Sequence, residues 1–404
     1  MNNMVSLGEI NLLVIADRYP HEKDPISLSF VKSQVDCLKN HVNHVYVISL
    51  TPFVPKFLSN FSFMNPRWRR DAFAHNYNYT NVSVYFAKHF TLPFESVRKR
   101  RGDAVLKAVE GIVQTQKIDF DIIHAHFIYP SGYVGTKLKT KYDTPLIITG
   151  HGHDVYDLPF KNSHWNKQIR NILSKSDHVI TPSKSNYDKL LQLGVPAKRL
   201  SIIPNGHDST LFKKTSMNAA RKLLNLPSDQ KIILSVGNLE SVKGHKYLIE
   251  AMNIIVQREK NILCLVVGAG SQSKELTKLV KCLDMNNCLD FVGPKPHDEI
   301  PLWMTACDVF VLPSLKEGNP TVMFEALGCC KPFVGTTVGG IPEIIINDKL
   351  GILVEPKDAD GLARAIRRAL DIEWDAEYIQ RYAKQFTWEK IAEDILEDYA
   401  KVLK

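Results

Sequence analysis

Short apolar runs recur along the chain, and longer segments with apolar residues at helical spacing separate them. The runs that we predict to be strands are residues 12–16, 45–50, 121–126, 146–149, 178–181, 232–236, 264–267, 289–292 and 308–312. Uninterrupted apolar runs of this length are typical of strands buried on both faces of a parallel sheet. The predicted helices include residues 30–38, 104–116, 129–137, 245–257, 273–283 and 388–403. The alternation predicts an α/β fold with doubly wound parallel sheets.

The length and the cysteine pattern narrow the class of protein. A chain of 404 residues favours two domains, and the strand-helix alternation restarts at Lys231. No window approaches the ~20 apolar residues of a membrane span, and the first residues lack the basic region and cleavage site of a signal peptide. The seven cysteines are odd in number and show no C-x2-C spacing. We therefore expect reduced thiols and a cytoplasmic location.

Positive charge is concentrated in the first half of the chain. Residues 1–204 carry a net charge of +10, whereas residues 205–404 carry −2. The least regular segment, residues 53–101, mixes aromatic side chains with Arg67, Arg69 and Arg70. It is either a solvated face over aromatic core residues, or a surface for an anionic membrane or a lipid-phosphate acceptor at the inner face of the membrane. Nucleic acid is disfavoured, because no known binding motif accompanies the charge.

A strand, a polar loop and a helix start follow one another after residue 308. The loop contains Glu317, the helix is predicted to be capped by Thr321, and Glu325 lies about one turn into it. The end of a strand beside a helix N-terminus suits an anionic ligand in an open α/β sheet. Two carboxylates at this spacing also occur on ordinary solvated helices.

A second candidate for phosphate binding follows the strand 232–236. Gly237 permits a tight turn, and Lys243 supplies a positive charge beside free amides at the start of the next helix. The alternative is a surface lysine in a turn. We interpret Val267 to Gly270 as a strand-to-helix turn, because the third glycine of a dinucleotide fingerprint is missing.

Histidines mark the ends of two strands in the first half. His126 ends one strand, and His151, His153 and Asp154 follow another. These histidines have no third ligand at a known metal-binding spacing, so we predict no metal site. The two D-x-D pairs, Asp119 with Asp121 and Asp358 with Asp360, are interpreted as turn residues.

The loop after residue 308 also carries a family resemblance. Glu317 and Glu325 reproduce an E-x7-E signature, and PSLKEGNPTVMFEALGCCKPFV with GGIPEII closely resembles the retaining glycosyltransferases of family 4. The resemblance implies the GT-B fold, in which two Rossmann-like domains face a cleft. The resemblance implies an acceptor-side domain of residues 1–198, to which the last helix, 386–404, also belongs. It implies a donor-binding domain of residues 199–385.

The resemblance also implies an activity and a set of site residues. It implies transfer of a sugar from a UDP- or GDP-linked donor to a hydroxyl of a glycan or lipid-linked acceptor, with retention of configuration and without metal or cofactor. The implied catalytic residues are Glu317, His126 and Lys243. The implied donor-binding residues are Gly237, Asn238, Lys243, Gly293, Pro294, Glu317, Gly318, Asn319, Pro320, Thr321 and Glu325, and His151, His153 and Asp154 lie on the acceptor side.

Within that set, Glu317 would hold the sugar hydroxyls, Glu325 the ribose and Lys243 the diphosphate. The chain departs from the family pattern at Asn238, where arginine is usual, and at Leu28, where glycine is usual. These departures leave two alternatives: a sugar-nucleotide epimerase or hydrolase on the same fold, and a donor-binding subunit without catalytic activity.

Overall fold

The computed structural model describes residues 7–25, 27–53, 71, 73–90 and 95–404, with the side chains of residues 95–100 left out. The chain divides into two compact units, one of residues 1–204 with 389–404 and one of residues 205–388. The division falls after Pro204 rather than after residue 198. The reason is that Leu200–Ile202 pairs with the preceding strand and completes the first sheet.

The first unit is built on an eight-stranded sheet. Its strands are β1 (Asn11–Ala16), β2 (His44–Phe53), β3 (Tyr77–Tyr79), β4 (Val82–Phe90), β5 (Ile122–His126), β6 (Leu146–Thr149), β7 (His178–Thr181) and β8 (Leu200–Ile202). Their order is β3-β4-β2-β1-β5-β6-β7-β8, and every neighbouring pair is parallel except β3 with β4. The prediction missed β3 and β4, which lie inside the segment that we judged irregular. The buried Val82, Val84 and Phe86 show that the period of a strand was present there.

Helices cover the first sheet. They are α1 (Ser29–Leu38), α2 (Glu95–Thr115), α3 (Tyr133–Tyr142), α4 (His153–Tyr156), α5 (Ser163–Lys175) and α6 (Lys184–Gln192). The predicted helix at 129–137 was wrong at its start, because Tyr129 has an extended backbone and regular helix begins at Tyr133. The buried face of α5 presents Trp165, Ile169 and Ile172 to the same core as the strands.

The second unit is built on a six-stranded parallel sheet. Its strands are β9 (Lys231–Val236), β10 (Ile262–Val267), β11 (Leu289–Gly293), β12 (Val309–Leu312), β13 (Phe333–Thr336) and β14 (Gly351–Val354), in the order β11-β10-β9-β12-β13-β14. Its helices are α7 (Met217–Leu223), α8 (His245–Val256), α9 (Ser273–Cys282), α10 (Ile300–Ala306), α11 (Thr321–Gly328), α12 (Ile341–Ile344), α13 (Ala359–Asp371) and α14 (Ala376–Ala383). Leu234 and Phe310 belong to one core cluster, whereas Ile233 and Val311 belong to another. Both faces of this sheet are therefore covered, as the apolar runs predicted.

The last helix, α15 (Trp388–Val402), belongs to the first unit from Glu389 onward. The hydroxyl of Tyr399 lies 2.7 Å from His124 Nδ1, and Asp398 Oδ2 lies 3.2 Å from His178 Nε2. Because Tyr399 and Asp398 are almost fully buried, these contacts join the helix to β5 and β7.

The strand order defines one crevice in each sheet. In a doubly wound sheet the chain reverses its direction of winding at a central strand, and the crevice at the carboxyl ends there is the usual ligand site. In the second sheet this point lies between β9 and β12. The loops that contain Lys243 and Glu317 follow these two strands. In the first sheet it lies between β1 and β5, and His126 ends β5.

Candidate functional site

Lys243 and Glu317 form an ion pair at the carboxyl end of the second sheet. Lys243 Nζ lies 2.6 Å from Glu317 Oε1, and the Ser314 hydroxyl donates to the same oxygen at 2.6 Å. The side chain of Glu317 is 8% exposed and that of Lys243 is 22% exposed, so the pair is largely shielded from water. The two predicted residues thus lie together, and Ser314 is a partner that the sequence reasoning missed.

Close backbone packing fixes the loop of Lys243 against the loop after β12. The residue that follows Lys243, Gly244, has φ 68°, and a Cβ atom there would lie 2.0 Å from the carbonyl oxygen of Pro313. The amide of Leu315 also donates to the carbonyl of Val242 at 2.8 Å. Only glycine fits this approach without displacing a strand end, and the lysine is therefore held in place by the backbone.

The loop after β13 supports Glu317 from the other side. Gly339 has φ 55°, and a Cβ atom there would lie 2.0 Å from the Glu317 carbonyl oxygen. The next amide, Gly340, donates to the carbonyl of Gly318 at 2.8 Å. The backbone on both sides of the Glu317 carboxylate is thus fixed by neighbouring segments.

The residues between Glu317 and α11 serve the fold more than the sequence suggested. Asn319 Oδ1 accepts from the Asn205 amide at 2.9 Å, and Asn205 Nδ2 donates to the Asn319 carbonyl at 2.7 Å. The predicted capping role of Thr321 was wrong, because Pro320 occupies the N-cap without a side-chain hydrogen bond and Thr321 is the first helical residue. The donor-binding roles of these residues stay predictions.

Glu325 is held by a histidine that the sequence reasoning did not select. His297 Nε2 lies 2.8 Å from Glu325 Oε1, and the side chain of Glu325 is 8% exposed. Burial acts to lower the pKa of His297, but the hydrogen bond and charge of Glu325, with Asp208 and Asp298, outweigh it and raise that pKa. The imidazole of His297 therefore favours the charged form beside the carboxylate.

The loops after β9, β10 and β11 lie against one another. Gly268 has φ 146°, and a Cβ atom there would lie 1.9 Å from the Gly237 carbonyl oxygen. The Gly268 amide donates to the Gly293 carbonyl at 3.0 Å. This confirms the interpretation of Val267 to Gly270 as a turn. Asn238 and Pro294 follow these glycines and are exposed.

In the first unit, three histidines stack at the ends of β5 and β6. His126 Nδ1 lies 3.0 Å from His151 Nε2, with the rings 12° from parallel, and the ring of His124 stacks on that of His126 with centroids 4.4 Å apart. Burial lowers the pKa of His124 and of His151 to about 3, and lowers that of His126 well below its usual range. All three rings are therefore neutral near pH 7, and His126 has no charge to offer a ligand.

Asp154 is buried beside this cluster, whereas His153 is exposed. Asp154 accepts backbone hydrogen bonds from Ile128 at 2.9 Å and Gly152 at 2.9 Å. Burial raises the pKa of Asp154 to about 6, although those hydrogen bonds oppose the shift. His153 is exposed and lies 2.9 Å from Asp157. Asp154 therefore fixes the loop after β6, whereas the side chain of His153 is exposed.

Asp17 is a further polar residue at this crevice. It directly follows β1, and Ser131 Oγ donates to its Oδ1 at 2.7 Å. Burial raises the pKa of Asp17, although Arg101 and Ser131 act in the opposite direction. Its position as the first residue after a central strand was a signal that the sequence reasoning did not use.

The described part of the chain contains no group of three or more His, Cys, Asp and Glu side chains that could hold a metal ion. Of the D-x-D residues, Asp121 accepts from the Asn11 amide at 2.7 Å, and Asp358 accepts from the Gly361 amide at 2.8 Å. These carboxylates thus fix backbone at element ends.

No helix that the structure describes is long and apolar enough to cross a membrane.

Comparison with known proteins identifies the family of both halves of the chain. Residues 216–386 match the model of the glycosyl transferases group 1, and residues 62–211 match that of glycosyltransferase family 4. The uncharacterized glycosyltransferase MJ1607 of Methanocaldococcus jannaschii is 30% identical over 306 residues, which cover 72% of this chain and 77% of that protein. The chain therefore belongs to glycosyltransferase family 4.

Solved structures agree on the fold. Sucrose-phosphate synthase from Thermosynechococcus elongatus has a TM-score of 0.77 at 22% identity, covering 97% of this chain and 99% of that chain. Anabaena HepE in complex with UDP has a TM-score of 0.73 at 21% identity, covering 97% of this chain and 100% of that chain. The two parallel-sheet units are thus those of a GT-B glycosyltransferase, as predicted.

Proposed function

We propose that the protein transfers a glycosyl group from a UDP- or GDP-linked sugar to a hydroxyl acceptor, with retention of anomeric configuration. The observation that carries this proposal is the shielded Lys243–Glu317 ion pair at the crevice of the second sheet. Negative charge develops on the leaving diphosphate as the glycosidic bond breaks. A lysine held at the edge of a parallel sheet stabilises that charge in the transition state.

Each member of the pair has a separate role in this proposal. The ammonium of Lys243 binds the diphosphate, together with backbone amides near the start of α11. The carboxylate of Glu317 binds sugar hydroxyls, with Ser314 keeping one of its oxygens in place. The complex of Anabaena HepE with UDP supports a nucleotide-sugar donor for this fold.

The acceptor is proposed to be a glycan or a lipid-linked sugar that meets the first unit near His126, His151 and Asp154. These groups are neutral or backbone-bonded, so they suit a hydroxyl better than an anion. The proposed anionic membrane contact rests on Arg67, Arg69 and Arg70, which lie outside the described residues.

The test begins with a thermal-shift panel of sugar nucleotides, because a ligand that binds only the folded state raises its apparent stability. Transfer from the best donor is then measured in wild type, Lys243→Ala and Glu317→Gln. Each variant is expected to lose about 100-fold or more in kcat. The matched control is Lys246→Ala, whose exposed side chain pairs with Glu250 on the outer part of α8. NMR of the product reports its anomeric configuration.

The outcomes separate the candidate activities. Near-normal turnover in Lys243→Ala or Glu317→Gln would count against the assigned roles. Donor hydrolysis or epimerisation without an acceptor would favour a sugar-nucleotide epimerase or hydrolase. Tight donor binding without any turnover would favour a binding subunit.

A further inference from the structure

We propose that His297 is a positioning residue that orients the Glu325 carboxylate toward the ribose of the donor nucleotide. The inference rests on the proposed function, and it takes from the family resemblance the expectation that Glu325 binds the ribose. It adds a second residue to that contact, from a different segment of the second unit.

The contact uses one oxygen of the carboxylate and leaves the other. His297 Nε2 lies 2.8 Å from Glu325 Oε1, and no described residue donates to Glu325 Oε2. A ribose presents two neighbouring hydroxyl groups, and a carboxylate accepts hydrogen bonds at both oxygens. The hydrogen bond between His297 and Oε1 therefore orients the carboxylate before the nucleotide binds.

His297 is itself held in place. It follows the Gly293–Pro294 turn at the end of β11, and its ring packs against Phe212 with centroids 5.3 Å apart. A glutamate on a helix would otherwise sample several rotamers, and ordering them on binding costs free energy. The histidine removes part of that cost in the unbound protein.

Charge reinforces the geometry. The acidic groups acting on His297 are Glu325 on α11, Asp208 in the segment after β8, and Asp298 beside it in the chain. They keep the imidazole protonated to higher pH than an isolated histidine. The charged hydrogen bond is stronger than the neutral one, so nucleotide affinity should fall as pH rises through the pKa of His297.

The experiment is a thermodynamic cycle in which the side chain of the protein and the ribose hydroxyls of the ligand are removed separately and together. Affinities for UDP, GDP and their 2′,3′-dideoxy analogues are measured by calorimetry in wild type, His297→Gln and Glu325→Ala. For the ribonucleotide that wild type binds, His297→Gln should weaken binding about tenfold, as for loss of one charge-assisted hydrogen bond. Its affinity for the dideoxy analogue should equal that of wild type. The control is Glu299→Gln, an exposed residue of the same segment, which should change neither affinity.

Two further readouts exclude a purely structural role. In the double variant, His297→Gln should add no loss to Glu325→Ala. The fall of wild-type affinity with rising pH should be absent from His297→Gln. Equal loss on the ribonucleotide and its dideoxy analogue would overturn the inference while leaving the proposed function standing. Failure of wild type to bind UDP or GDP would overturn both.

Discussion

Leu28 stands where the family resemblance implies a glycine, and it offers a test of backbone strain at that position. It immediately precedes α1 and has φ 48° and ψ 45°, in the left-handed region. This conformation costs a non-glycine residue ~1–2 kcal/mol. Glycine avoids that cost, but it lowers the free energy of unfolding by ~0.5–1 kcal/mol, because the unfolded chain has more conformational entropy at a glycine. We therefore expect Leu28→Gly to be more stable than Leu28→Ala by ~1 kcal/mol, since both variants lack the leucine side chain.

The assay is unfolding in urea, with melting temperature as a second measure. A difference of ~1 kcal/mol corresponds to roughly 2–4 °C for a unit of this size. The control pair is Ser33→Gly and Ser33→Ala, inside α1, where glycine should instead be the less stable variant by ~1 kcal/mol. The reasoning is refuted if Leu28→Ala is as stable as Leu28→Gly while the Ser33 pair behaves as expected.

Two other predictions concern pH and metal. The three stacked histidines have folded pKa values below the unfolded value of about 6.5, so the unfolded state binds more protons and stability should fall as pH drops from 6.5 toward 3. Urea unfolding of His151→Gln should show a slope of stability against pH that is shallower by up to ~1.4 kcal/mol per pH unit, and an unchanged slope would contradict the assignment. We also expect transfer to persist in a chelator, because Lys243 and helix amides can meet the diphosphate charge; full loss that magnesium or manganese restores would make a cation the substitute for the arginine absent at Asn238.

The two central strands of the second sheet were predictable because they are buried on both faces. Residues 232–234 and Val309–Leu312 are apolar and buried throughout, so a continuous apolar run was enough to find these strands. Val82–Phe90 was missed although its apolar residues alternate, because the aromatic and basic residues around it suggested a surface. A strand near the edge of a sheet is harder to recognise than a central one, because it alternates apolar and polar residues instead of forming a continuous apolar run. The aromatic and basic residues that flank it in the chain obscure that alternation.

The members of the site were easier to predict than their partners. Glu317 and Lys243 were each found from local spacing and a strand end, but nothing in the sequence states that they pair across 74 positions. His297 had no local signal at all, because its role depends on a carboxylate from another segment. Thr321 shows the opposite error, in which a good capping residue stands one position inside the helix while proline occupies the cap.

The proposed donor would bind the same side chains that pair with one another in the unbound protein. In the unbound protein Lys243 pairs with Glu317, and His297, whose pKa is raised, hydrogen-bonds to Glu325, so both carboxylates have a partner. A diphosphate would draw on Lys243, and sugar hydroxyls would replace the ammonium at Glu317. Neither carboxylate is left buried and unpaired in the absence of donor, which would cost several kcal/mol. The exposed Asn238 adds no charge, so electrostatic preference for the diphosphate depends on Lys243 and on backbone amides.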